Sequence, residues 1–189
     1  MKTERTHERY VLTTEIRLND SRVDLIIKSL KDESNKTKVI IHFDYNGGGV
    51  ILTTLKLIEA IEKCPRDRRV ILVFKGFAIS AAAYVLAYFS FYNVTQKNVI
   101  VQADGPLCVV YHKPRIPIYK LDIFSNNLYC DVKYTPAVEF VREITASFDE
   151  VYQFMVQACY IKRIRIAPHM DSIYNINGDV CVLFKKGVL

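Results

Sequence analysis

Apolar residues recur along this chain with two different periods, and the switches between them mark its elements. Tyr10 to Ile16 (YVLTTEI) has the β-branched and aromatic content of a strand, and Asn19-Asp20-Ser21 offers N-cap side chains for the helix that follows. In that helix Val23, Ile26, Ile27 and Leu30 recur at helical spacing and form one core-facing stripe, which the polar run Lys31 to Lys36 ends. Lys38 to Asp44 (KVIIHFD) reads as a second strand and NGGG breaks the chain. Val50 to Glu62 then carries Leu52, Leu55, Ile58 and Ile61 in a helical pattern.

The unit repeats. Arg69 to Phe74 (RVILVF) is a continuous apolar run of the kind buried on both faces of a parallel sheet, and Ala78 to Tyr92 follows as a helix. Asn98 to Gln102 and Leu107 to His112 read as two strands on either side of the turn ADGP. Strand and helix alternating in this way predict an α/β domain with right-handed crossovers. Beyond His112, prolines and short alternating runs predict an irregular or hairpin excursion. Thr135-Pro136 then caps a long helix from Ala137 to about Arg163, with Val138, Val141, Ile144, Phe148, Val151, Met155 and Ala158 as its stripe. Ser147 and Glu150 have capping-box spacing, so this segment reads either as one helix or as two broken near Ser147.

Composition narrows the class. The chain has 189 residues, half of them hydrophobic, which suits a single domain spanning residues 1–189 with a sizeable core. The leading MKTERTHERY has no apolar stretch of the signal-peptide kind, and no segment reaches the roughly 18 apolar residues of a bilayer span. A soluble, cytoplasmic protein is expected. Five widely spaced cysteines (Cys64, Cys108, Cys130, Cys159, Cys181) include no CxxC pair, so reduced thiols are expected rather than a disulfide framework or zinc site. The net charge of +6 gathers partly at KCPRDRR (63–69) and IKRIRI (161–166). These read as a solvated loop and the cationic end of a helix, and nucleic-acid binding is not expected without a recognition motif or aromatic platform.

Two turns carry the candidate chemistry. Gly47, Gly48 and Gly49 stand where a strand passes into a helix, a place where bare backbone NH groups can face an anion, although the same glycines also suit a tight corner. They lack the GK[ST] of a phosphate loop and the GxGxxG of a dinucleotide site. The second turn, GFAIS, leaves a strand and enters a helix with Ala81, Ala82 and Ala83 behind Ser80. A serine there serves as a cap, or as a nucleophile whose neighbouring NH groups receive negative charge from a carbonyl. His112, ending the apolar strand VVYH, is the candidate general base. His7, His42, His112 and His169 show no metal-ligand spacing, so neither a metal nor a cofactor is called for.

Taken together, YVLTTEI, HFDYNGGGVILTT, KGFAISAAAYVLAY and VVYHKP resemble the Clp protease proteolytic subunit family in order and spacing, over about Tyr10 to Pro114. The resemblance implies a ClpP/crotonase-like α/β spiral of βαβ units with a long C-terminal helical handle region. It implies a serine endopeptidase in which Ser80 is the nucleophile, His112 the base, and Gly49 and Ala81 the oxyanion-hole positions. Asp179 in GDVCVLF matches the triad acid, with Asp171 in PHMDS as second choice. By the same resemblance the substrate is unfolded polypeptide or peptide, cleaved inside a homo-oligomeric ring of seven or two stacked sevens. The rewritten segment Lys113 to Lys133 and the short stretch before Tyr10 argue against docking to an ATP-driven unfoldase. A viral or phage version acting in a host cytoplasm fits the chain, and a crotonase-type acyl-coenzyme A enzyme or a non-catalytic assembly or adaptor protein of the same fold is the alternative.

Overall fold

The computed structural model describes residues 7–34, 37–118, 121–124 and 135–189. Cys130, the residues before His7, the cap at Thr135-Pro136 and the side chain of Val138 lie outside that description, as does much of 113–133.

The chain is α/β. It runs through β1 (His7–Ile16), α1 (Ser21–Lys31), β2 (Lys38–Gly49), α2 (Ile51–Glu62), β3 (Val70–Ile79), α3 (Ala81–Ala87) and β4 (Val99–Tyr111). A small antiparallel pair, β5 (Ile116–Ile118) and β6 (Leu121–Ile123), follows. The chain ends through α4 (Thr135–Ile161), α5 (Met170–Asn175), β7 (Val180–Phe184) and β8 (Gly187–Val188). The main sheet is open and mixed, ordered β1-β2-β3-β4-β7, with β8 also on β4. β1 to β4 are parallel, while β7 and β8 run antiparallel to β4.

Alternation along the strands decides which face the helices cover. Val39, Ile41 and Phe43 of β2, Val70, Leu72 and Phe74 of β3, and Val101 and Ala103 of β4 are buried, and Phe43 and Phe74 stack with ring centres 4.6 Å apart. The intervening Ile40, Ile71 and Ile100 are half-buried. β3 comes nearest to the expected burial on both faces, since Val73 is buried too. α4 is fastened by aromatic contact: Phe148 stacks on Tyr84 of α3 at 4.0 Å, and Tyr111 at the end of β4 donates its hydroxyl proton to the Phe148 carbonyl at 2.9 Å. The buried Tyr111 hydroxyl is thus paired, as a low-dielectric interior demands.

Several sequence expectations are corrected. Val99–Tyr111 forms one strand, not two around a turn, because both halves pair in parallel with β3. Phe74 sits opposite Ala103 and Gly76 opposite Leu107, so Asp104-Gly105-Pro106 is accommodated as a bulge. α3 starts at Ala81 rather than Ala78, because Ala78 and Ile79 still pair with β4. It passes into a π turn over Tyr88–Tyr92, closed by the Asn93 NH donating to the Tyr88 carbonyl. α4 is continuous, and Ser147 bonds the Tyr84 hydroxyl (2.6 Å) instead of capping a break. In α2 the buried stripe is Thr54, Leu57, Ile58 and Ile61, while Leu52 is 48 % exposed. KCPRDRR is not wholly a solvated loop either: Arg68 is 1 % exposed.

Candidate active site

Four parallel strands deliver their carboxyl ends to one side of the sheet, where ligands of open α/β sheets bind. Ile16, Gly49, Ile79 and Tyr111 end those strands, so the β1–α1 turn, the glycine turn, Ser80 and His112 gather at that edge.

Ser80 holds an unusual backbone. Its φ of 55° and ψ of −121° fall in a region that is costly for any residue with a Cβ. It keeps that conformation because both neighbours are committed. Its NH donates to the Val110 carbonyl of β4 (3.0 Å), and its own carbonyl accepts the first helical bond of α3 from Tyr84 (2.9 Å). The side chain makes no capping bond, so the Oγ is not spent on the helix. A Cβ-bearing residue in such a conformation marks a site where surrounding structure pays for a particular side-chain direction.

The glycine turn packs directly against this elbow. A Cβ on Gly48 (φ 91°) would lie 2.5 Å from the Ile79 carbonyl oxygen and 2.7 Å from the Ser80 Cβ, and one on Gly49 (φ 116°) would lie 2.2 Å from the Ile16 oxygen. Both positions therefore require glycine twice over, by conformation and by space. Asn46, fully buried, braces the turn: its Nδ2 donates to the Leu12 carbonyl and its Oδ1 accepts from the Gly48 NH, each at 2.9 Å. Tyr45 beside it also has positive φ (49°).

The wall opposite is the β1–α1 turn. Asp20 caps α1 through the Arg22 NH, accepts from the Arg17 NH, and pairs with the Arg22 guanidinium at 2.6 Å. That guanidinium also donates to the Thr13 and Glu15 carbonyls. Chiefly because of the Arg22 bond, the Asp20 carboxyl is held well below the usual carboxylate range.

Between these walls lies a cleft of about 990 Å³ with Gly49, Ser80 and Ala81 on its lining. Ile16, Leu18, Leu52, Ile116, Phe140 and Phe148 make its surface mostly apolar, and Arg17 and Arg115 supply cations. Leu52 is exposed because it faces this cleft rather than the core. Sequence periodicity put it inside, and the signal that would have moved it is its place in the first turn of α2, overhanging a strand end.

His112 is 3 % exposed. Its Nδ1 lies 2.7 Å from the Lys113 carbonyl, which can only accept, so Nδ1 carries the proton and Nε2 of the neutral ring is the acceptor. Arg115 Nη2 stands 3.3 Å from that Nε2 and 3.8 Å from Asp179 Oδ1. Asp179 therefore connects with His112 through Arg115. Asp171 accepts from the Tyr152 hydroxyl at 2.8 Å, on the α4–α5 side. The structure brings Ser80, Gly49 and Ala81 together in one cleft and sets His112 at the adjacent strand end. Sequence reasoning missed Arg115, whose signal was its position three residues beyond His112 in the loop leaving a strand end.

Among the described residues no group of three His, Cys, Asp or Glu side chains is placed to hold a metal ion, and no helix is long and apolar enough to cross a membrane. His42 lies 3.9 Å from Asp44, with burial pushing its imidazole pKa down. The chain matches no protein-family model, and no curated protein matches it to a significant degree.

Proposed function

We propose that this protein is a serine peptidase of the Clp proteolytic subunit type, acting on unfolded polypeptide through an acyl-enzyme at Ser80. The observation that carries this reading is the Ser80 backbone: a half-buried hydroxyl on a strained strand-to-helix elbow, against two obligatory glycines, on the wall of an apolar cleft. Such strain is not needed for a cap, since a serine cap adopts ordinary extended geometry.

In this reading Ser80 Oγ attacks the peptide carbonyl as His112 Nε2 accepts its proton, and the same proton then goes to the leaving amine. The Gly49 and Ala81 NH groups receive the oxyanion. The Lys113 carbonyl fixes the tautomer that leaves Nε2 as acceptor, which is the orienting part of a triad acid's work. Asp179 takes part by holding Arg115, and substrate entry has to draw Arg115 off Nε2 before the base is in use. A homo-oligomeric ring enclosing the cleft belongs to the same proposal.

A second reading, a non-catalytic assembly or adaptor protein of this fold, is favoured by the Arg115 contact, which occupies the nitrogen a base needs. Fluorophosphonate labelling separates the two. Native chain labelled at Ser80, with labelling lost in Ser80→Ala and reduced about a thousandfold or more in His112→Ala, supports the peptidase. A folded native chain that takes no label supports the adaptor.

A further inference from the structure

The outward face of the β4–β7 pair carries two thiols that neither the proposed chemistry nor the core uses. In the antiparallel register Cys108 faces Leu183 and Val110 faces Cys181, so the two cysteines are diagonal neighbours on the same face. The alternation agrees: Val109, Val180 and Val182 point into the core, while Cys108 is half-buried and Cys181 exposed. Burial raises the Cys181 pKa first, and the neighbouring Cys108 raises it further.

We propose that Cys108 and Cys181 are an oxidisable dithiol that closes a cross-strand disulfide clipping β7 onto β4. Diagonal positions across an antiparallel pair are about 7–8 Å apart at Cα, just beyond the roughly 7 Å limit for a disulfide. Closure therefore needs a shift of about 1 Å. β7 can make that shift, because it is the edge strand of the sheet and its far side carries only the bridge from Val182 to Ile166 among the described residues. The oxidant is a small-molecule disulfide of the glutathione class. The exposed Cys181 thiol loses its proton and attacks one sulfur of that disulfide, forming a mixed disulfide and releasing one small thiolate, which takes up a proton. The Cys108 thiol then loses its proton and attacks Cys181 Sγ, expelling the second small thiol. Two protein thiols are oxidised and one external disulfide is reduced to two thiols.

The clip ties the strand that runs into His112 to the strand that starts beside Asp179, with α4 and α5 lying in the loop it closes. It stands whether or not Ser80 is a nucleophile. The test is to incubate the native full chain with excess oxidised glutathione, alkylate the remaining thiols, and map the peptides by mass. The expected result is a Cys108–Cys181 link with loss of two hydrogen atoms. Cys108→Ser is expected to stop at a glutathione adduct on Cys181, and the linked chain is expected to melt about 5 °C higher or more, because a long loop is closed. Separate adducts on the two cysteines of the native chain, or a dominant link to a different cysteine, overturn the pair. A linked chain that melts no higher overturns the clip.

Discussion

The two ends of the parallel sheet solve opposite problems with polar groups. At the amino ends of the strands, Arg68 enters the interior and every contact is constructive. Its guanidinium donates to the Thr37 and Ser29 carbonyls and to Ser29 Oγ, and lies 3.6 Å from Glu8. At the carboxyl ends, Ser80, Tyr45, Gly48 and Gly49 all take positive φ, and the Ser80 hydroxyl is left uncommitted to the helix it begins. One end converts polar side chains into stability. The other accepts strain and keeps polar groups at the edge of a cleft, which is the pattern of a functional site on an otherwise locally consistent fold.

The contrast can be broken hardest at Arg68. Arg68→Met keeps most of the volume but removes the guanidinium from the Thr37 and Ser29 carbonyls and its charge from beside Glu8, and urea unfolding should show a loss of about 3–5 kcal/mol. If labelling of Ser80 survives in the fraction that stays folded, the two ends are energetically separate. Gly48→Ala attacks the other end. With its Cβ forced within 2.7 Å of Ser80 Cβ, the variant should lose about 2–4 kcal/mol and lose Ser80 labelling together with it.

Asp20→Ala tests the cleft wall through pH. The folded-state pKa is depressed, so the carboxylate contributes stability above its unfolded value of about 4 and loses it as pH falls toward the folded one. The variant should therefore cost about 1–2 kcal/mol at pH 7, with the gap to the native chain narrowing below about pH 4. A gap that stays constant down to pH 2 would mean that the Arg22 pair contributes nothing. The smallest effect has the opposite sign. Ser80→Gly removes the Cβ from a conformation that only glycine adopts freely, and it should stabilise the chain by about 1 kcal/mol while abolishing labelling. An unchanged or lower thermal midpoint would remove the argument from strain.

Period and composition made the order of elements legible because each βα unit announces itself locally. Of the α1 stripe, Val23, Ile26 and Leu30 are buried as the spacing predicts while Ile27 is only partly buried, and Asp20 caps α1 as the Asn-Asp-Ser run suggested. What failed were cases where a distant partner outweighs a local signal. ADGP has turn chemistry, yet β3 holds both flanking halves parallel. Ser147 has capping-box spacing, yet Tyr84 takes its hydroxyl. Arg68 sits in a run of charges, yet two carbonyls and a hydroxyl from far along the chain draw it inside.

By itself, then, the sequence determined the α/β class, because hydrophobic period is a property of consecutive residues. It also marked Ser80 and the glycines as a place of interest, since a lone hydroxyl before three alanines and a triple glycine are visible without a fold. Only the tertiary structure decided that Gly48 touches Ser80, that the Ser80 backbone is strained, and that Asp179 reaches His112 by way of Arg115. Those are relations between residues that chain connectivity leaves far apart, and packing alone fixes their distances.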